Sequence, residues 1–193
     1  MAILHLEKIR KVYKKGDNEV VALGAVDLDI EKGEYLAVVG PSGSGKTTLL
    51  NILGCLDVPT SGRVVYDGRE LRALGEKELS EYRKLHVSFI FQSYNLIPVL
   101  TVAENVELPL VIERKRNGAQ ARAKALELLS AVGLSGMENR YPRELSGGQE
   151  QRVAIARALV KDPIVVLADE PTANLDSHTA EEIVELMKRI NAE

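Results

Sequence analysis

Hydrophobic and polar positions alternate most clearly within residues 20–30, where apolar side chains are separated by Asp27 and Asp29. A period of two is typical of a strand that has one buried face and one solvated face. Shorter segments of the same kind occur near the N-terminus and before the Asp-Gly pair at residues 67–68. The pattern therefore predicts an antiparallel sheet built from residues 1–33 and 60–72.

Other segments lack this alternation and divide into short apolar runs and helical patterns. The apolar runs suit buried strands, and they are Tyr35–Val39, Val87–Phe91 and Ile164–Ala168. Apolar residues recur three or four positions apart in segments that favour helices, namely residues 47–56, 76–85, 118–132, 146–160 and 177–190. In residues 118–132 the predicted buried face carries Leu126, Leu129 and Val132. Thr101 and Glu104 form a capping box for one more helix, which we expect Pro109 to disturb.

Composition narrows the class of protein. The chain has 193 residues, of which 45% are hydrophobic and 27% charged, and its formal net charge is −3. This length suits one domain with a substantial core, and the charge does not favour a broad nucleic-acid-binding surface. The single cysteine, Cys55, excludes an internal disulfide, and no apolar run approaches the ~20 residues that span a bilayer. We expect a cytoplasmic protein.

A glycine-rich segment between an apolar run and a predicted helix carries the first chemical signal. Gly40, Gly45, Lys46 and Thr47 match the P-loop pattern, in which backbone N–H groups and a helix N-terminus surround phosphate oxygens. Lys46 is then expected to contact the β- and γ-phosphates, and the Thr47 hydroxyl to hold Mg²⁺. The residues expected to bind the nucleotide phosphates are Gly40, Pro41, Ser42, Gly43, Ser44, Gly45, Lys46, Thr47 and Thr48.

Two carboxylates follow the apolar run Ile164–Ala168. Four bulky apolar residues and an alanine predict a strand that is buried on both faces, and Asp169 stands at its end. Beside a P-loop, Asp169 is expected to ligate Mg²⁺. Glu170 is placed to orient and deprotonate the attacking water.

The stretch Leu145–Gln149, with the sequence LSGGQ, opens the helix predicted over residues 146–160. Ser146 and Gln149 can form a capping box, but glycine at Gly147 and Gly148 costs helix stability. We interpret the two glycines as a place where a phosphate approaches the backbone closely. Residues 145–149 are called the signature below.

Together, the P-loop, the signature and the strand ending in Asp-Glu resemble the ATP-binding-cassette family, and the likeness covers essentially the whole chain. The resemblance implies that Tyr13 stacks on adenine and that Gln92 senses Mg²⁺ and the attacking water. It also implies that Ser146, Gly147, Gly148 and Gln149 bind the γ-phosphate held by a second subunit, and that residues 174–176 form the D-loop at the dimer interface. Four further segments are similar to the macrolide-export and lipoprotein-release branch: Asn51–Asp57, Phe89–Gln92, Asn105–Pro109 and Leu167–Thr172.

The same resemblance implies a fold, cofactors and partners. The fold is an α/β P-loop NTPase core with a mainly parallel sheet, an antiparallel β subdomain and an α-helical subdomain. Residues 1–91 and 161–193 are expected to form the core, and about 92–160 the helical subdomain. The implied function is ATP hydrolysis with ATP and Mg²⁺, in a dimer of ATPase subunits attached to transmembrane permease subunits at the inner face of the cell membrane.

One departure from the family concerns histidine. Family members continue past the D-loop helix into a central strand that ends in a switch histidine, whereas His5, His86 and His178 do not follow any late apolar run. We therefore expect this chain to lack that strand and to hydrolyse ATP weakly or not at all by itself. This keeps open the alternative of a catalytically impaired nucleotide-binding or regulatory remnant.

A soluble ATPase of the DNA-repair kind is a less favoured alternative. Such proteins usually carry a long coiled coil or a zinc module between P-loop and signature. The corresponding interval here has no heptads and no cysteine pairs. A nucleotide kinase would explain the P-loop but not the signature.

Overall fold

The computed structural model describes residues 2–16, 18–71, 74–113 and 118–192. The chain divides into two compact units, the first extending to Lys84 and the second running from Leu85 to Asn191. No helix among the described residues is long and apolar enough to cross a membrane.

The first unit contains a four-stranded antiparallel sheet. Its strands are β1 (Ala2–Lys15), β2 (Asn18–Glu31), β3 (Ser61–Tyr66) and β4 (Arg69–Glu70), in the order β2-β1-β3-β4. The buried side chains include Leu4, Leu6, Val64 and Tyr66, because apolar residues recur with period two. The antiparallel sheet predicted from the sequence is confirmed. Helix α1 (Lys46–Leu53) buries Leu49, Ile52 and Leu53 in this unit, and α2 (Glu76–His86) ends at the start of the second unit.

Among its described residues, the second unit contains a parallel strand pair, four α-helices and a short 3₁₀ helix at Pro142–Glu144. Strands β5 (Val87–Ile90) and β6 (Val165–Ala168) pair in parallel, with Val87 opposite Val165. The helices are α3 (Val102–Glu113), α4 (Gly118–Ala131), α5 (Gly147–Leu159) and α6 (Ser177–Ala192). Their core is formed by buried side chains such as Val102, Val106, Leu129, Val153, Ile155 and Ile183. The mixed α/β class is therefore as predicted.

The prediction of a strand at Tyr35–Val39 is wrong. These residues carry no strand pairing, and Val39 is 92% exposed. An apolar run indicates that a segment can be buried, but a strand also needs a neighbour that accepts and donates its backbone hydrogen bonds. In the first unit, the described strands pair only with one another.

Three finer predictions also need correction. Helix α3 continues through Pro109 to Glu113, because the burial of Val106 and Leu110 on either side offsets the lost backbone hydrogen bond. In α4 the buried stripe is Ala121, Ala125 and Leu129, while Leu126 is 39% exposed. Strand β6 is covered on one face only, since Leu167 is 6% and Val166 37% exposed.

Candidate functional site

The P-loop, residues 40–48, needs glycine at defined positions. Gly43 and Gly45 have left-handed φ angles of 79° and 93°, which side chains other than glycine adopt only with strain. A Cβ on Gly45 would lie 2.4 Å from the carbonyl oxygen of Ala22 and 2.9 Å from Leu23 Cδ2. Position 45 therefore accepts only glycine, for reasons of both conformation and space.

Helix α1 begins without a side-chain cap. Gly45 is its N-cap and provides no side-chain hydrogen bond, and the first bond inside the helix runs from the Leu49 N–H to the Gly45 carbonyl at 2.9 Å. The N–H groups of the first turn thus face outward from a positive helix end. This arrangement is suited to an anion such as a phosphate.

The Lys46 side chain lies along the loop. Its Nζ donates to the carbonyl oxygens of Gly40 at 2.9 Å and Pro41 at 3.1 Å. The ammonium is therefore held by exposed backbone carbonyls at the loop where the phosphates are expected. A phosphate oxygen can replace either carbonyl and forms a stronger, charge-assisted bond.

Asp169 and Glu170 follow β6 at its carboxyl end. The Asp169 N–H donates to the Ile90 carbonyl at 3.0 Å, which extends the parallel pairing by one residue. Glu170 has a φ of 47°, a left-handed conformation that is uncommon outside glycine. The backbone of the next residue is held in place, because the Pro171 carbonyl accepts a 2.6 Å hydrogen bond from Gln151 Nε2. This bond supports the conformation at Glu170.

Gln151 was not among the residues predicted for the site. It is fully buried, on the helix that follows the signature. Its signal in the sequence is a polar residue within an otherwise apolar buried stripe. That signal indicates a buried hydrogen bond but does not identify its partner.

The segment after β5 is fixed by two side chains from elsewhere in the second unit. Asn174 Nδ2, in the predicted D-loop, donates to the Gln92 carbonyl at 2.9 Å. The two terminal nitrogens of Arg157 donate to the carbonyls of Tyr94 and Asn95, each at 2.5 Å. Burial lowers the pKa of the Arg157 guanidinium. The exposed Gln92 side chain is therefore attached to a firmly held backbone, and the sequence did not predict Arg157.

The signature forms the capping box predicted for it. The Ser146 N–H donates to Gln149 Oε1 at 3.0 Å, and the Gln149 N–H donates to Ser146 Oγ at 3.3 Å. A Cβ on Gly148 would lie 2.5 Å from Thr179 Cγ2, and one on Gly147 would lie 3.1 Å from the Tyr94 hydroxyl. Tight packing is therefore a second reason why positions 147 and 148 hold glycine, in addition to the close approach of a phosphate.

Gly148→Ala is expected to destabilise the second unit by about 1–3 kcal/mol, the usual cost of overpacking. The added methyl has no space beside the Thr179 methyl. Thr179→Ser is the matched rescue, because it removes that methyl but keeps the hydroxyl that donates to Asp176 Oδ2 at 2.7 Å. Thermal unfolding of both single variants and the double variant measures the effect. A double variant as unstable as Gly148→Ala would contradict this explanation.

Asp176, the last residue of the predicted D-loop, caps α6. Its Oδ1 accepts from the Thr179 N–H at 3.0 Å. Hydrogen bonds from the Thr179 side chain and backbone lower the pKa of the Asp176 carboxyl. Asp176 is thus ionised at neutral pH and starts the helix that packs against Gly148.

Tyr13 lies on β1 and is 41% exposed. Its hydroxyl donates to Asp57 Oδ2 at 2.9 Å. The ring is therefore anchored at one end and accessible over part of its surface, as a stacking platform for a base requires.

The predicted site residues are distributed over both units. The P-loop and Tyr13 belong to the first unit, and Gln92, the signature and Asp169–Glu170 belong to the second. The predicted metal ligands are Thr47, Gln92 and Asp169, which offer hydroxyl, amide and carboxylate oxygens. Oxygen donors of these kinds are the ligands that Mg²⁺ prefers, together with phosphate and water.

Comparisons with known proteins find a family and relatives for this chain. A family model described as ABC transporter matches residues 23–173. The lipoprotein-releasing system ATP-binding protein LolD of Bordetella pertussis is 48% identical over 190 residues, which are 98% of this chain and 82% of LolD. The macrolide export ATP-binding/permease protein MacB of Mannheimia succiniciproducens is 46% identical over 193 residues, which are 100% of this chain and 30% of MacB.

A solved structure is similar over nearly the whole chain. It is the dimeric structure of a post-hydrolysis state of the ATP-binding cassette MJ0796 bound to ADP and Pi, a protein of Methanocaldococcus jannaschii. The match has a TM-score of 0.85 and 47% identity, and covers 97% of this chain and 82% of that chain. These similarities confirm the predicted fold class and the predicted resemblance.

Proposed function

Since this chain belongs to the ABC transporter family, we propose that it binds and hydrolyses ATP through the residues described above, as the ATPase subunit of a membrane transporter. The observation that carries the proposal is the P-loop, where a turn that requires glycine at Gly45 leads into a helix N-terminus without a side-chain cap. Such a site binds a polyphosphate through backbone donors and the helix dipole. The remnant alternative is not favoured by these relatives.

ATP binding is assigned to residues of the first unit. Lys46 exchanges its bonds to the Gly40 and Pro41 carbonyls for bonds to phosphate oxygens. Tyr13 stacks on the adenine, and the Thr47 hydroxyl holds Mg²⁺. Gln92 and Asp169, which belong to the second unit, are the further Mg²⁺ ligands that the sequence predicts. When bound, Mg²⁺ supplies neutralising charge to the phosphates.

Hydrolysis is assigned to Glu170 and Gln92. Glu170 accepts the proton of the attacking water as general base, and Gln92 orients that water. Both residues stand on backbone that other side chains hold, namely Gln151 beside Glu170 and Asn174 at Gln92. Such support keeps the reacting groups close to the positions and orientations that catalysis requires.

The partners are a second ATPase subunit and permease subunits in the membrane, with this chain at the inner face. The similar MJ0796 cassette is dimeric, and LolD is named as part of a lipoprotein-releasing system. We assign Ser146, Gly147, Gly148 and Gln149 to the γ-phosphate of the ATP held by the second subunit. Their helix N-terminus provides the donors for this contact.

Substitution of Ser146 tests the signature assignment. Ser146→Asp keeps a good N-cap but adds a negative charge at the place assigned to the γ-phosphate. ATP-dependent dimerisation, followed by light scattering, is expected to be lost, while ATP binding to the monomer is retained. Ser146→Asn is the matched control, since it also caps helices and carries no charge. Equal dimerisation of the Asp and Asn variants would contradict the assignment.

A further inference from the structure

Three side chains of the first unit form a connected cluster at Tyr13. Lys11 Nζ donates to Asp57 Oδ1 at 2.5 Å and to the Val58 carbonyl at 2.8 Å. The Tyr13 hydroxyl donates to the second oxygen of the same carboxylate at 2.9 Å. The Lys11 ammonium also lies 5.0 Å from the centroid of the Tyr13 ring, within the range of a cation–π interaction.

The cluster is partly buried. The side chains of Lys11 and Asp57 are only 12% and 26% exposed, whereas Tyr13 is 41% exposed. Burial alone would raise the pKa of the Asp57 carboxyl, but hydrogen bonds from Lys11 and Tyr13 outweigh it and hold this pKa below its ordinary value. The ion pair is therefore complete at neutral pH and better shielded from solvent than a surface pair.

The backbone fixes Asp57 with respect to β1. The Thr60 N–H donates to the Arg10 carbonyl at 2.8 Å, and the Val12 N–H donates to Thr60 Oγ1 at 3.0 Å. These bonds attach the segment after α1 to β1 on both sides of Lys11. Tyr13 is thus held through its hydroxyl by a carboxylate that is itself anchored.

We propose that Lys11 and Asp57 are positioning residues, which hold and polarise the Tyr13 ring on which the nucleobase stacks. The proposal rests on the assignment of Tyr13 to the base. Asp57 fixes the ring before the nucleotide arrives, which reduces the ordering cost of binding. Lys11 withdraws π-electron density from the ring and so favours stacking against an electron-rich purine.

The Tyr13 hydroxyl is committed to Asp57. Because it donates to Asp57, it does not donate to a base edge. Stacking tolerates different bases, since every base has a π-face. The cluster therefore distinguishes a purine nucleoside triphosphate from bare triphosphate, but it does not distinguish adenine from guanine.

Calorimetric binding of MgATP, MgGTP and magnesium tripolyphosphate tests the proposal. Lys11→Met is expected to weaken ATP and GTP alike by about 3- to 10-fold and to leave tripolyphosphate binding unchanged. Lys11→Arg restores nucleotide binding, because it keeps both the charge and the bond to Asp57. In a Tyr13→Ala background Lys11→Met has no further effect, since Lys11 acts through the ring.

Several outcomes would overturn the proposal. Equal losses for ATP and tripolyphosphate would place Lys11 at the phosphates, and an undiminished loss in the Tyr13→Ala background would separate Lys11 from the ring. A loss for ATP without a loss for GTP would show that Lys11 acts on the base edge and not through the Tyr13 ring. If Lys11→Met does not fold, Asp57→Asn takes its place with the same expectations. Wild-type protein that binds none of the three ligands would refute the proposed function itself, and this inference with it.

Discussion

Lys46→Ala is expected to abolish tight ATP binding. The alanine removes the ammonium assigned to the β- and γ-phosphate oxygens, and each hydrogen bond to a charged group contributes about 1.5–3 kcal/mol. Loss of two such bonds weakens ATP by about 100-fold or more. Equilibrium binding of a fluorescent ATP analogue measures this effect.

Stability is expected to change little in the same variant. Within the described part of the chain, Lys46 donates to the exposed carbonyls of Gly40 and Pro41, which water can satisfy after the substitution. Lys77→Ala, at an exposed position of α2, removes the same charge outside the P-loop and controls for net charge. Unchanged ATP affinity in Lys46→Ala, or an equal loss in both variants, would refute the P-loop assignment.

Glu170→Gln is expected to bind ATP normally and to hydrolyse it about 10²–10⁴-fold more slowly, the usual cost of losing a general base. Glutamine has nearly the shape of glutamate but does not accept a proton at neutral pH. The left-handed backbone at this position strains both residues similarly, so folding is preserved. Since ATP persists, it is also expected to hold two copies together, which light scattering detects.

Steady-state phosphate release measures the rates, and Glu181→Gln, at an exposed position of α6, is the matched control. Wild-type turnover in Glu170→Gln would exclude Glu170 as the base.

Local signals made the secondary structure predictable. The alternation around Asp27 and Asp29 predicted an antiparallel strand, and the Thr101–Glu104 capping box predicted the start of α3. Both depend on residues close together in the chain, where geometry follows from the period of the element. Tyr35–Val39 failed because an apolar run does not reveal whether a partner strand is present.

The candidate site likewise has features that local sequence predicts and features that it does not. The sequence by itself determined the P-loop, the signature cap and the order of the two carboxylates, because each is a short spacing of residues with one chemical use. Only the tertiary structure decided what holds these groups. Lys11 meets Asp57 across 46 positions, Arg157 meets Tyr94 across 63, and Thr179 occupies the space beside Gly148. Such contacts depend on how separate elements pack, and no local pattern specifies which distant side chain will satisfy a given carbonyl or fill a given space.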